Sequence, residues 1–398
     1  MKLKFAKRMS YIKASEIREI LKVTEREDVI SFAGGLPAPE LFPIDEINKM
    51  NQVVLQEAGA KALQYTTTEG YYPLREWIAK RMNKRLGTSF DKDNILITHG
   101  SQQGLDLSGK VFLDDGDIVL CESPTYLAAI SAFKSYGSSF IEIPTDEEGM
   151  DMATLEEVLN NTQNIKLIYV IPIFQNPTGK TWSLERRKKL AELSALYDIP
   201  VIEDNPYGEL RFEGESLPSI KSFDKVGNIL CTGSFSKIFC PGFRIGWIAG
   251  DKDIIRKYVL VKQGTDLQCN TIAQMTIAEY LKRYDIDEHI SKIVEVYRKR
   301  RDIALECIER YFPNDIKYTH PQGGLFTWIE LPENISAHDI LQKCIEQKIA
   351  FVPGGSFYPV EHKENTFRIN YSNMPEDRIM KGLQVIGEVL KEYIHQLK

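Results

Sequence analysis

Cysteine is scarce in this chain, and none of it is paired. Six thiols (Cys121, Cys231, Cys240, Cys269, Cys307 and Cys344) are scattered singly through 398 residues, with no CxxC and no histidine at a metal-ligand spacing from any of them. The expectation is therefore reduced, mostly buried thiols in a cytoplasmic protein, and no metal. Long apolar runs are missing too. A membrane helix needs roughly 18 such residues, and the longest run here, around Leu167 to Phe174, is interrupted by Pro172. The N-terminal MKLKFAKRMSYIKASEIREI is basic but has no apolar core and no small-residue cleavage site, so it predicts no signal peptide. Nor is there an excess of positive charge. Lys and Arg total 50 against 56 Asp and Glu, a net −6, which argues against a nucleic-acid surface. No internal repeat or low-complexity tract interrupts the chain, and neither nucleic acid nor membrane is expected as a partner.

What the chain does have is core-forming material, 43% hydrophobic residues. A soft prior of roughly 100–200 residues per domain suggests two or three units. Between about residues 90 and 250, short β-branched runs alternate with amphipathic stretches. The predicted strands are Asn94–Thr98, Ile118–Glu122, Leu167–Ile171, Pro200–Glu203, Ile229–Thr232 and Arg244–Ala249. Their nearly continuous apolar character suits strands buried on both faces. Leu184, Leu190, Leu193 and Leu196 repeat at helical spacing behind Ser183, an N-cap candidate. The alternation predicts a mostly parallel α/β sheet, whose ligands gather beyond the carboxyl ends of the strands. A long helix near Glu288–Tyr311 then opens a smaller α+β region. The expected organisation is an N-terminal arm and helix over 1–40 packing with the small domain, a large α/β domain over 41–287, and a small α+β domain over 288–398.

The most informative segment is Thr232-Gly-Ser-Phe-Ser-Lys-Ile-Phe-Cys-Pro-Gly-Phe-Arg-Ile-Gly-Trp247. Ser234 and Ser236 can donate to a phosphate, and Arg244 can bind one bidentately. Lys237 stands beside them as an amine nucleophile, because a buried lysine near other cations loses its proton more easily. A lone lysine is usually a solvated surface charge. Ser-x-Ser-Lys followed by Pro-Gly-x-Arg-x-Gly is specific, and it resembles the Schiff-base motif of class I/II aminotransferases. These are pyridoxal-phosphate enzymes of fold type I, with a mostly parallel central sheet in a large domain and a smaller α+β domain.

That resemblance, which covers about residues 14 to 372, implies further sites. Gly100, Ser101 and Gln102, after strand Asn94–Thr98, would cradle the phosphate at a helix N-terminus. Tyr126 in Glu-Ser-Pro-Thr-Tyr would stack on the pyridine ring. Asn176 in Asn-Pro-Thr-Gly and Tyr207 would reach the 3′-oxygen, and Asp204 in Glu-Asp-Asn-Pro-Tyr-Gly would pair with the protonated ring nitrogen. Arg368 in Thr-Phe-Arg-Ile-Asn-Tyr-Ser would bind the substrate carboxylate. Tyr65 in Gln-Tyr-Thr-Thr-Thr-Glu-Gly would touch the partner subunit's phosphate, which implies a homodimer with shared active sites; Thr66 stands where many relatives have glycine.

The stretches Ile-Lys-Ala-Ser-Glu-Ile-Arg-Glu-Ile-Leu-Lys and Ser-Phe-Ala-Gly-Gly-Leu-Pro-Ala-Pro-Glu-Leu-Phe-Pro look like the 2-aminoadipate and kynurenine II aminotransferases. There Gly35 would lie near the substrate carboxylate, under a short N-terminal helix with Ile17, Ile20 and Leu21 facing inward. Arg18 on that helix either pairs with a distal carboxylate, as of glutamate or 2-aminoadipate, or is a solvated helix arginine. The implied activity is ping-pong transfer of an amino group from an L-amino acid, with aromatic and branched-chain donors included, to a 2-oxo acid such as 2-oxoglutarate. Fold alone does not settle reaction. A C–S lyase is the alternative enzyme. A cofactor-sensing regulatory domain is the alternative outside catalysis, though the acidic charge and missing DNA-binding module oppose it.

Overall fold

The computed structural model describes residues 3–12, 28–361 and 363–397. Its centre is an eight-stranded sheet whose strands we number along the chain: β1 (Ile95–Thr98), β2 (Ile118–Ser123), β3 (Ser139–Asp146), β4 (Gly149–Met150), β5 (Ile165–Val170), β6 (Val201–Asp204), β7 (Ile229–Ser234) and β8 (Gly246–Ala249). The spatial order is β1-β8-β7-β6-β5-β2-β3-β4. Only β8 and β4 run against the rest.

Alternating side chains of each strand enter two different apolar clusters. Val119, Leu167, Tyr169, Ile202 and Leu230 join one, with Leu105, Phe133 and Tyr258 from covering helices. Leu120, Ile168, Val170, Val201 and Ile229 join the other, with Leu155, Leu190 and Leu193. Successive residues of a strand point to opposite faces, so a strand covered on both sides must be apolar at every position.

The helices used below are α1 (Gly100–Phe112), α2 (Leu184–Tyr197), α3 (Lys252–Gln263) and α4 (Ile286–Tyr311). Ser183 caps α2, its Oγ accepting from the Arg186 amide at 3.4 Å. A second sheet of β9 (Lys317–Tyr318), β10 (Phe326–Glu330), β11 (Val352–Pro353) and β12 (Thr366–Asn370) is antiparallel throughout, in the order β9-β10-β12-β11. Ile30–Ser31 pairs in parallel with Ile349–Ala350, and the Asn370 amide donates to the Phe32 carbonyl at 2.9 Å. All six cysteines are free and buried. Among the described residues no helix is long and apolar enough to cross a membrane.

Two details depart from the sequence pattern. Strands β3 and β4 carry no continuous apolar run, because β3 lies near the sheet edge with only Phe140 and Ile143 buried and β4 is two residues long. The strand expected from Arg244 begins at Gly246, since Arg244 takes a left-handed conformation (φ 54°) after the turn Pro241–Phe243. That conformation turns the guanidinium out of the ladder and toward the end of β1.

Arg187 on α2 is fully buried and donates to the carbonyls of Pro218 (2.9 Å), Pro172 (3.1 Å) and Trp182 (3.3 Å). Replacing it with leucine takes the guanidinium from the Pro218 and Trp182 carbonyls, while Pro172 keeps the Trp182 amide at 2.9 Å, so we expect a loss on the order of 3 kcal/mol. An unchanged urea midpoint for Arg187→Leu would contradict this account.

Candidate active site

The carboxyl ends of β1, β2, β5, β6 and β7 converge on one cleft, as a doubly covered sheet requires of its ligand site. Asp204 is the last residue of β6 and is 1% exposed. It accepts from the Tyr169 hydroxyl at 2.8 Å and from the Thr232 hydroxyl. Burial raises its pKa, and those two hydrogen bonds oppose the rise. Among the described residues no basic side chain pairs with it.

Lys237 lies in the turn after β7, partly buried, with Nζ 2.6 Å from the Gly35 carbonyl. Desolvation, and then the nearby charges of Arg368 and Arg244, pull its amine down to about 8. Arg244 closes the same corner. Its Nη1 is 3.5 Å from Ser236 Oγ, and its Nη2 is 3.5 Å from the His99 carbonyl. Ser234 Oγ in turn donates to Ser236 Oγ at 2.8 Å and accepts from the Ser236 amide at 3.0 Å. Gly100 opens α1 at φ +70°, where a Cβ would strike the Arg244 guanidinium. Ser101 and Gln102 follow in the first turn, so free amides, two serines and a guanidinium meet at one helix N-terminus.

The opposite wall comes from the smaller sheet. Arg368, on β12, is 3% exposed; its Nη1 donates to Asn176 Oδ1 at 2.7 Å and its Nη2 to the Ala33 carbonyl at 2.6 Å. Nε is buried with no partner. The guanidinium carbon lies 4.2 Å from the ring centroid of Phe326 and 5.1 Å from that of Phe357, a cation–π sandwich. Burial lowers its pKa to about 10. Asn176 Nδ2 reaches the Tyr207 hydroxyl at 3.4 Å, and burial raises that phenol. Tyr126 caps the helix after β2, its phenol raised by burial and then by the Asp204 charge. Gly35 forms part of the wall, 3.1 Å from Phe326 Cζ at the position of an added Cβ.

Of the residues singled out in the sequence, these come together around one cleft. Tyr65 does not join them, being 77% exposed. Arg18, with Ile17, Ile20 and Leu21, lies outside the described residues. Sequence reasoning passed over Tyr169, Thr232, Phe326 and Phe357. Thr232 opens the quoted lysine motif, but its link to Asp204 depends on the register between β6 and β7.

A carboxylate buried without a counter-ion among the described residues, a lysine with a depressed pKa and a helix start beside serines and a guanidinium are what a pyridoxal-phosphate enzyme on an α/β sheet requires. Residues 27–386 match the family model of aminotransferase class I and II, and the chain belongs to that family. It is similar to the aromatic-amino-acid aminotransferase 1 of Thermococcus litoralis, at 46% identity over 98% of this chain and 94% of the relative. The Pyrococcus horikoshii kynurenine aminotransferase, solved with PMP and with KYN and KYA as substrate and product, superposes with a TM-score of 0.94 at 45% identity, covering 98% of this chain and 97% of that one. LysN, the alpha-aminoadipate aminotransferase of Thermus thermophilus, solved with N-(5'-phosphopyridoxyl)-L-leucine, gives 0.92 at 39% identity and 98% coverage of both. The protein is a pyridoxal-phosphate-dependent aminotransferase of fold type I.

The residues present fit that cofactor. Ser234, Ser236, Arg244 and the start of α1 suit its phosphate, the unpaired Asp204 suits a protonated ring nitrogen, and Lys237 suits its aldehyde. A lysine that titrates at about 8 folded and 10.5 unfolded binds fewer protons when folded between those values. Its contribution to stability therefore rises with pH across that window. We expect the apoprotein's Lys237 to be labelled by an amine reagent with a midpoint near pH 8, read by peptide mass spectrometry; a midpoint near 10.5 would contradict the described environment.

Proposed function

We propose that this aminotransferase takes the amino group from 2-aminoadipate, glutamate, aromatic or branched-chain L-amino acids and passes it to a 2-oxo acid, chiefly 2-oxoglutarate. The observation that carries this reading is Arg368. Among the described residues it is a buried guanidinium without a carboxylate partner and with an unsatisfied Nε, a few hydrogen bonds from the lysine side of the cleft. Such a group is costly unless an anion completes it, and its planar fork matches the carboxylate common to both substrates. The names of the similar proteins, covering aromatic, kynurenine and 2-aminoadipate transfer, support the breadth of donors.

When bound, pyridoxal phosphate supplies an electrophilic aldehyde and an electron-withdrawing ring. Asp204 holds the proton on the ring nitrogen, kept in place by Tyr169 and Thr232. Tyr207, neutral because burial raises its phenol, and Asn176 orient the 3′-oxygen. Tyr126 covers the ring. Gly100, Ser101, Gln102, Ser234, Ser236 and Arg244 hold the phosphate. Arg368 and Asn176 fix the substrate carboxylate beside Gly35. Lys237, with its amine drawn down to about 8, would take the proton from the donor's Cα as general base and, as general acid, give it to the cofactor's aldehyde carbon. Donor and acceptor both use Arg368, so they bind in turn, which is the ping-pong order.

Arg18 is proposed to pair with the distal carboxylate of dicarboxylic substrates. A second copy of the chain is proposed to cover Tyr65 and bring it to its own phosphate. Tyr65 shares the surface with exposed Leu267, since the adjacent Thr66 amide donates to Gln268.

Arg368→Leu should raise KM for the donor about a hundredfold while the visible band of bound cofactor persists; an unaltered KM would sink the assignment. With Arg18→Gln, 2-aminoadipate should lose far more kcat/KM than leucine, and equal losses would return Arg18 to a solvated helix face.

A further inference from the structure

Behind the phosphate cradle sits a cluster that the chemistry above does not use. Lys262 on α3 is fully buried. Its ammonium donates to Asp266 Oδ1 (2.7 Å) and Oδ2 (2.8 Å) and to Gln103 Oε1 (2.9 Å). Gln103, in the first turn of α1, donates through Nε2 to Asp266 Oδ2 at 2.7 Å and accepts the His99 amide at 2.9 Å. The His99 ring lies 3.3 Å from Asp266 through Nε2, and burial lowers its pKa. His99, Asp266 and Cys269 bring ligand atoms within 4.8 Å of one another. The Asp266 carboxylate is already taken by the Lys262 ammonium, so the cluster reads as a lock filled by its own lysine.

The need for a lock follows from Gly100. Its φ of +70° is one that other residues rarely adopt, and a Cβ there would also displace the Arg244 guanidinium, so the position favours glycine. Glycine leaves the entry to α1 with little intrinsic stiffness, yet the amides of Gly100, Ser101 and Gln102 must point in one direction to receive an anion. His99, immediately before, is restrained on three sides: its amide by Gln103, its ring by Asp266, and its carbonyl by Arg244.

We infer that Gln103, held by the buried Lys262 and its partner Asp266, is a positioning residue for the cofactor's phosphate. It acts by fixing His99 and with it the direction of the first-turn amides of α1. The inference rests on the proposed reading of that helix start as the phosphate cradle. Because it concerns the phosphate alone, pyridoxal and pyridoxal phosphate separate it from a general structural role. Both reach Lys237, and only one uses the cradle.

The experiment titrates apoprotein with each compound and follows the visible band formed on Lys237, in the parent, Gln103→Leu, Gln103→Met and Arg244→Leu proteins. Circular dichroism and the thermal midpoint establish folding. Gln103→Leu should weaken pyridoxal phosphate about tenfold and leave pyridoxal unchanged; Gln103→Met gives the same comparison should the leucine variant fail to fold. Equal loss for both compounds, or no loss for either, overturns the inference. If Arg244→Leu also leaves pyridoxal phosphate binding intact, the cradle reading itself is wrong. If Arg244→Leu weakens it and the Gln103 variants do not, the inference alone fails.

Discussion

Unbalanced charge at the cleft is the constraint on which the rest of this structure depends. Lys237, Arg244 and Arg368 approach one another, and among the described residues none of them pairs with a carboxylate. Asp204 is buried a short distance away with only hydroxyl partners. In water such groups would be solvated; here they are held apart by rigid elements and left for a ligand of complementary charge. The arrangement is costly to the empty protein, and the same cost makes it selective. In the proposed reading a dianionic phosphate, a cationic ring nitrogen and a carboxylate would each complete one part of it.

Holding those charges apart takes two sheets. Asp204 ends β6 and Lys237 follows the neighbouring β7 of the large sheet, whereas Arg368 stands on β12 of the small one. Asn176 bridges them, accepting from Arg368 and donating to Tyr207. Further ties cross the same divide. The Thr125 amide donates to the Phe357 carbonyl at 2.9 Å, and Glu142 on β3 accepts the Val360 amide at 2.7 Å. Arg368, proposed to take the substrate carboxylate, thus comes from the small sheet and Lys237 from the large one, with these hydrogen bonds tying the two together.

The α/β alternation was plain in the sequence because the central strands are covered on both faces, which forces apolar residues at every position and leaves a strong local signal. The same reasoning explains what went unseen. Strand β3 lies near the end of the sheet, where it is only partly covered and charged residues are tolerated, and β4 is only two residues long. Arg244 sits among strand-like neighbours, and its left-handed backbone follows the turn Pro241–Phe243, where its amide donates to the Pro241 carbonyl. Tyr169 sits in an apolar run that marks it as core, and only the β5–β6 register brings its hydroxyl to Asp204.

By itself the sequence determined the parallel sheet, the length of the chain given to it, and the chemistry available at its edge, since Ser234, Ser236, Lys237 and Arg244 lie within eleven residues of one another. Those features are local, carried by periodicity and by spacing along a single turn. The tertiary structure decided which groups go unpaired. The depressed lysine, the orphaned Arg368 Nε, the Phe326–Phe357 sandwich and the Lys262–Gln103 lock all join segments far apart in the chain. Burial and charge proximity are properties of the assembled cleft, and no single segment carries them.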